Sequence, residues 1–160
     1  MLLGPLLMTF PPKKSDTAST SLRLKLALVN LDELKEHENI NPVLLEKLKE
    51  EIASDKILKF AIAVDRNTST VLDGHHRIHA LKLLGCKRIP VVFLNYNSPN
   101  IVVKAWREGE NVTKADIVNA ALSGRKMPPK TTRHLILVKG TFKHISEMEK
   151  MVNVTLESLM

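Results

Sequence analysis

The chain has one cysteine in 160 residues, Cys86. An internal disulfide is therefore impossible, and no cysteine cluster exists to hold zinc or an iron–sulfur centre. A chain of this kind suits a reducing cytoplasm. Long apolar runs are also missing. The opening stretch MLLGPLLMTF stops at Pro11, well short of the roughly 20 residues that a membrane-spanning helix needs. Its basic residues, Lys13 and Lys14, follow the run, whereas a secretory signal would begin with them. Residues 1–21 read as a flexible N-terminal arm, with PPKKSDTASTS as a polar linker, and residues 22–160 as one domain with a real core. No membrane association is expected, and no internal repeat is present. Acids are absent from one whole segment. None occurs between Asp116 and Glu147, while Arg125, Lys126, Lys130, Arg133, Lys139 and Lys143 all fall there. The net charge is +7, so this segment is either a place where an anion binds or a solvated basic face.

What is present is globular: 44% apolar and 26% charged residues exclude a disordered chain. Leu22, Leu24, Leu26 and Leu28 alternate as in a strand. Asn41 and Pro42 form a helix start, after which Leu44, Leu45, Leu48 and Ile52 recur at helical spacing. FAIAVD and TSTVLD are short β runs around Arg66 and Asn67. Gly74 to Leu84 is helical, with Ile78, Leu81 and Leu84 on one side and Gly85 closing it. RIPVVFLNY reads as a buried strand, NSPN as a breaker, KADIVNAALSG as a helix ending at Gly124, HLILVKG as the last strand, and SEMEKMVNVTLESLM as a terminal helix. The order is mixed, which predicts an α+β class with a mixed sheet and packed helices in one domain.

The most loaded segment is STVLDGHHRIHALKLLG. A strand runs into Asp73 and Gly74, and a helix follows at once. Glycine at such a point permits close approach of another group to the backbone. The first helical turn offers unpaired N–H groups and the positive end of the helix dipole. His75, His76 and Arg77 as cations are unfavourable there, so a bound anion makes better sense of them. Asp73 is placed to hold a magnesium ion riding on that anion. The chemistry predicts a phosphate site; the plain alternative is an Asp-capped helix carrying two ordinary histidines. Zinc is disfavoured, because adjacent histidines point to different sides of a helix.

DGHHRIHALKLLGCKRIPV resembles the signature of the ParB/sulfiredoxin superfamily, in which the Asp, Gly, His and Arg residues of this box contact nucleotide phosphates. Within that superfamily, LDELKEHENINP, Trp106 in VVKAWREG, and PPKTTRHLIL make the chain similar to the archaeal free L-serine kinases from about Leu31 onward and in the same order. It departs from the longer members in having only 21 residues between Trp106 and Pro128, where those carry a sizeable insertion. The resemblance implies a ParB/sulfiredoxin-like domain that transfers phosphate from ATP or ADP, with Mg2+ or another divalent cation, to free L-serine. The product, O-phospho-L-serine, would feed cysteine biosynthesis or serine metabolism.

The resemblance also implies roles. Glu38 is the base, Asp73 a catalytic and metal-facing carboxylate, and Asp73, Gly74, His75, His76 and Arg77 the nucleotide-binding box. Trp106, Lys130, Thr131, Thr132, Arg133 and His134 face serine or phosphoserine. The residue chemistry agrees: Lys130–His134 supply an ammonium, two hydroxyls, a guanidinium and an imidazole, and Arg133 suits bidentate contact with a carboxylate or phosphate. Read without the resemblance, Glu38 is an exposed carboxylate ahead of a helix, and Trp106 fills the core. Lys59 either reaches a phosphate or is solvated.

The competing readings are a ParB-type nucleotide-dependent DNA-binding module and a ParB-like nuclease. The first expects a helix-turn-helix after the nucleotide box, where PKTTRH and a strand stand instead. The second expects a carboxylate cluster for two metals. Nucleic acid is thus an unlikely partner, and a homo-oligomer is compatible with the sequence. Sulfiredoxin chemistry needs a reactive cysteine in the box, and Cys86 lies at the far end of the helix.

Overall fold

The computed structural model describes Leu6–Leu7 and residues 25–160. A five-stranded mixed sheet lies at its centre. It contains β1 (Leu6–Leu7), β2 (Lys25–Asn30), β4 (Ile62–Asp65), β5 (Val71–Asp73) and β6 (Arg88–Leu94) in the order β1-β2-β6-β4-β5. β4 and β6 run parallel, and the other pairs are antiparallel. Strands β4 and β6 read as near-continuous apolar runs because both of their faces are covered. Ile62 and Val64 join one core, and Ala61 and Ala63 the other. Val91 and Phe93 likewise face the first core, while Val92 and Leu94 face the second.

The first core is closed by α1 (Pro42–Asp55), α2 (His75–Leu83) and α4 (Leu156–Leu159). Asn41 caps α1, its side chain accepting from the N–H groups of Val43 and Leu44. Leu84 is the C-cap of α2, and Gly85 follows with φ 82°. The second core is closed by α3 (Lys114–Ser123) and by an antiparallel meander of β7 (Ile101–Ala105), β8 (Thr132–Val138) and β9 (Thr141–His144). Thr113 and Asp116 form a reciprocal capping box on α3, and Gly124 closes it with φ 74°. The architecture is the α+β class with a mixed sheet that the element order predicted.

Two expectations need correction. HLILVKG is not the last strand: Lys139 and Gly140, both at positive φ (50° and 78°), turn the chain into β9, as primed hairpin turns do. The segment SEMEKMVNVTLESLM is not one helix. It is a short 3-10 turn (Ile145–Met148), a strand β10 (Met151–Thr155) and α4. The Met and Leu spacing mimics a helix, but Met151, Val154 and Thr155 find partners on strand β3 (Ile57–Phe60), with a register shift between Met151 and Val154. The arm over residues 1–21 lies mostly outside the described residues. Its Leu6–Leu7 portion is paired with β2, Leu6 opposite Leu28.

Among the described residues, no helix is long and apolar enough to cross a membrane.

Candidate functional site

Strand β5 ends at Asp73, and α2 begins at His75. Gly74 between them has φ +114°, and a Cβ there would lie 2.3 Å from Cγ2 of Ile62. The close approach that the sequence anticipated is real, and on the side of an added Cβ the approaching group is the Ile62 side chain of β4. The first helical bond runs from Ile78 N–H to Gly74 C=O at 3.1 Å, which leaves the amides of His75, His76 and Arg77 without partners inside the helix. They border a cleft of about 180 Å³ lined by Glu38, Leu48 and Asp73 to Arg77.

The two histidines of the box are not cations. Burial, reinforced by neighbouring positive groups, holds His75 well below its ordinary value, and burial lowers His76 as well. Both rings accept hydrogen bonds from backbone: His75 Nε2 from His37 N–H at 3.3 Å and His76 Nε2 from Asn41 N–H at 2.9 Å. Their positions near the helix N-terminus therefore need no bound anion to explain them. They fix the loop that carries Glu38. Further stitches hold the same loop. Lys35 N–H donates to Ser69 C=O, Asn39 N–H to Met127 C=O, and Met127 N–H to His37 C=O, all within 2.7–2.9 Å. The Glu36 carboxylate meets His79 at 2.7 Å and Lys126 at 3.5 Å.

Glu38 is half-buried, not an exposed helix leader. Its Oε1 accepts from the amides of Thr131 at 2.8 Å and Thr132 at 3.2 Å. Burial raises its pKa against the pull of those amides. Lys130, in a left-handed conformation (φ 55°), bends the chain so that these N–H groups converge on one oxygen, as in an anion-binding nest.

Strand alternation divides the Lys130–His134 group. Thr132 and His134 are buried. The Thr132 hydroxyl lies 3.3 Å from His37 Nε2, and His134 Nε2 lies 2.8 Å from the Tyr96 hydroxyl. Their side chains thus bond within the interior. His37 stands edge-on between His75 and His134, with ring centroids 4.5 and 5.8 Å away. Burial keeps it neutral, its pKa lowered to about 4, and lowers His134 to about 3. Thr131 directs its hydroxyl to Pro128 C=O. Arg133 points the other way from its neighbours and lies over Trp106, its guanidinium carbon 5.3 Å from the ring centroid. Trp106 is 52% exposed, so it does not fill the core. The pair is built by the meander: Trp106 N–H donates to Thr131 C=O at 3.1 Å, and Lys104 sits opposite Arg133. Lys59 is taken up by Asp55 at 3.2 Å and Glu51 at 3.8 Å.

Arg77 does not extend freely into the cleft. Nη1 donates to the carbonyls of Ala61 (3.2 Å) and Phe60 (3.4 Å), and Nη2 to Asp73 (3.1 Å) and Glu149 (2.8 Å). Glu149 is a member of this group that sequence reading missed. It stands among ordinary surface-like Glu and Lys residues, and nothing local marks it. Burial first, then a hydrogen bond shared with Asp73, pushes its pKa up to about 8. Asp73, although burial opposes it, is held below the usual carboxylate range by that bond and by Arg77. Among the described residues, no group of three His, Cys, Asp or Glu side chains is arranged to hold a metal.

No protein-family profile matches the chain. An ATP-dependent L-serine kinase of Staphylothermus marinus is 36% identical over 83 residues, which cover 49% of this chain and 33% of that protein. A ParB-like protein of Sulfolobus acidocaldarius is 33% identical over 82 residues, 51% of this chain and 41% of that protein. The matches thus span well under two thirds of the relatives' own lengths. Among solved structures, a free serine kinase in complex with AMP superposes with a TM-score of 0.68 at 18% identity, covering 92% of this chain and 98% of that one. The sequence relatives and the shared fold are those that the motif resemblance indicated.

Proposed function

We propose that this chain is a free L-serine kinase of the ParB/sulfiredoxin-like superfamily, transferring a phosphoryl group from ATP or ADP to the serine hydroxyl. The observation that carries this reading is the position of Glu38. It forms part of the cleft wall beside the Asp73–Arg77 box, and it is bonded to the Thr131 and Thr132 amides of the PKTTRH segment. One carboxylate thus joins the phosphate motif to the segment proposed to face the amino acid.

The geometry supports a role for each residue in this reading. The orphan amides of His75, His76 and Arg77 receive phosphate oxygens at the N-terminus of α2. With Nε2 of His76 accepting from Asn41, the ring proton lies on Nδ1, available as a further donor. Oε1 of Glu38 is fixed by two amides, which leaves Oε2 to accept or steer the proton of the serine hydroxyl. Phosphoryl transfer through a loose transition state depends mainly on such positioning. Arg133, held against Trp106, offers a guanidinium for the serine carboxylate, and Lys130 contributes positive charge nearby. Asp73 would hold Mg2+, which when bound neutralises phosphate charge. Among the described residues, the 60 that follow NSPN form a meander, helix α3 and β10 with α4, which does not favour a DNA-binding module. The free, buried Cys86 is in keeping with a reducing cytoplasm, and O-phosphoserine made there would supply cysteine or serine metabolism.

The test is direct. Protein incubated with L-serine, Mg2+ and either ATP or ADP is expected to form O-phospho-L-serine, detected by mass spectrometry. Absence of product with both donors, in a folded protein, refutes the reading.

A further inference from the structure

The contacts of Arg77 leave one partner without a role in the chemistry described above. Glu149 follows the 3-10 turn in which Ile145 is fully buried, and both of its carboxylate oxygens lie 2.8 Å from Arg77 Nη2. Its side chain is only 6% exposed. The backbone beside it is equally fixed, because Ala61 N–H donates to Lys150 C=O at 2.9 Å. The acid therefore arrives at Arg77 through a defined backbone path from the C-terminal segment, and not as a flexible surface side chain. The same guanidinium nitrogen donates to Asp73 Oδ2 at 3.1 Å, and Asp73 forms part of the cleft wall.

We propose that Glu149 is a positioning residue that holds the Arg77 guanidinium and, through it, aims Asp73 at the phosphates in the cleft. Arg77 is then an organiser of the cleft wall and not a mobile phosphate grip. Its Nη1 is anchored to the β3–β4 junction, Nη2 is shared between two carboxylates, and removing Glu149 leaves that nitrogen without its shorter-range partner. The inference rests on the kinase reading for what the positioning serves. It does not require Glu149 to touch either substrate. A simple staple between the C-terminal segment and the sheet is the rival account, and it differs in what it does to kinetics: a staple changes melting temperature, whereas a positioning residue changes turnover in the folded protein and acts only while Arg77 is present.

The experiment is a double-mutant cycle of Glu149→Ala and Arg77→Ala in the full chain, with serine and nucleotide kinetics measured well below each variant's melting temperature. Glu149→Ala is expected to lower kcat roughly ten- to a hundredfold, the scale of a small misplacement at a reacting centre. The KM for serine should stay within about twofold, because the Arg133–Trp106 side does not contact Glu149. In the Arg77→Ala background the further loss should be less than about twofold, since coupled residues do not add. Parental kcat in Glu149→Ala, or losses that multiply in the double variant, overturns the proposal. Glu149→Gln, which preserves volume, takes the place of the alanine variant if that one fails to fold. An inactive parent refutes the kinase reading instead. The cycle is then read on ADP affinity by calorimetry, where the same coupling supports the positioning role and its absence removes it.

Discussion

Glu38 and Gly74 make different demands on their surroundings. Glu38 needs its two amide bonds and one free oxygen, so a change that keeps shape but removes basicity is the informative one. Glu38→Gln should keep the fold and nucleotide affinity and lose about two or more decades of kcat, the range for general-base assistance. Turnover near the parental value at saturating serine and nucleotide would make Glu38 a scaffold residue. Gly74 answers to sterics alone. Gly74→Ala puts a methyl 2.3 Å from an Ile62 side-chain carbon at φ +114°, adding overpacking to backbone strain, each on the order of 1–3 kcal/mol. Its urea midpoint should fall accordingly, and an unchanged midpoint would mean that β4 moves aside without cost. The sequence identified both residues as important. It left open which group approaches Gly74, because a glycine before a helix looks the same whether the close neighbour is a phosphate or an isoleucine.

Helix α1 begins at a residue with two jobs. The Asn41 side chain caps the helix through Val43 and Leu44, while its backbone N–H donates to His76. Asn41→Ala should cost about 0.5–2 kcal/mol as a lost N-cap, read from denaturant unfolding. The backbone bond to His76 survives the substitution, so nucleotide affinity should change by less than about threefold, a shift below the free energy of a single net hydrogen bond. A large loss of affinity at parental stability would show that the cap itself aligns the cleft. The cap was readable from Asn-Pro ahead of an apolar period. The His76 bond was not, since it joins residues 35 positions apart.

Across the whole molecule, the three buried imidazoles of His37, His75 and His134 and Glu149 set opposite pH dependences. For His37, His75 and His134 the folded pKa lies below the unfolded value of 6.5. As pH falls below that value, the unfolded chain takes up protons that the folded protein refuses. Stability then drops by about 1.4 kcal/mol per pH unit for each histidine, down to about pH 4 for His37 and about pH 3 for His134. Glu149 has a folded pKa near 8 against 4.5, so it is bound to a proton that the unfolded chain releases. Its contribution is complete below 4.5 and is lost as pH rises towards 8. On the acid side the three histidines outweigh the raised carboxyls of Glu38 and Glu149, and between pH 6.5 and 8 Glu149 dominates. The urea midpoint is therefore expected to peak near pH 6.5 and to fall at pH 4.5 and pH 8.5. A midpoint that keeps rising to pH 8.5 would mean that Glu149 is ionised in the folded protein.

The sequence by itself determined the class, the helix start at Asn41, the helix ends at Gly85 and Gly124, and the Asp73–Arg77 motif that borders the cleft. Capping and hydrophobic period act over a few residues and leave a local trace. The tertiary structure alone decided which side chains the motifs present. In β8 the alternation that follows from pairing with β7 turned Thr132 and His134 inward and left Arg133 with Trp106. The partner strand β3 converted a helix-like spacing into β10. Burial made neutral acceptors of two histidines that composition counts as potential cations. Glu149 reaches Arg77 across 72 positions, and a contact formed by folding over that separation leaves no mark on the residues beside either one.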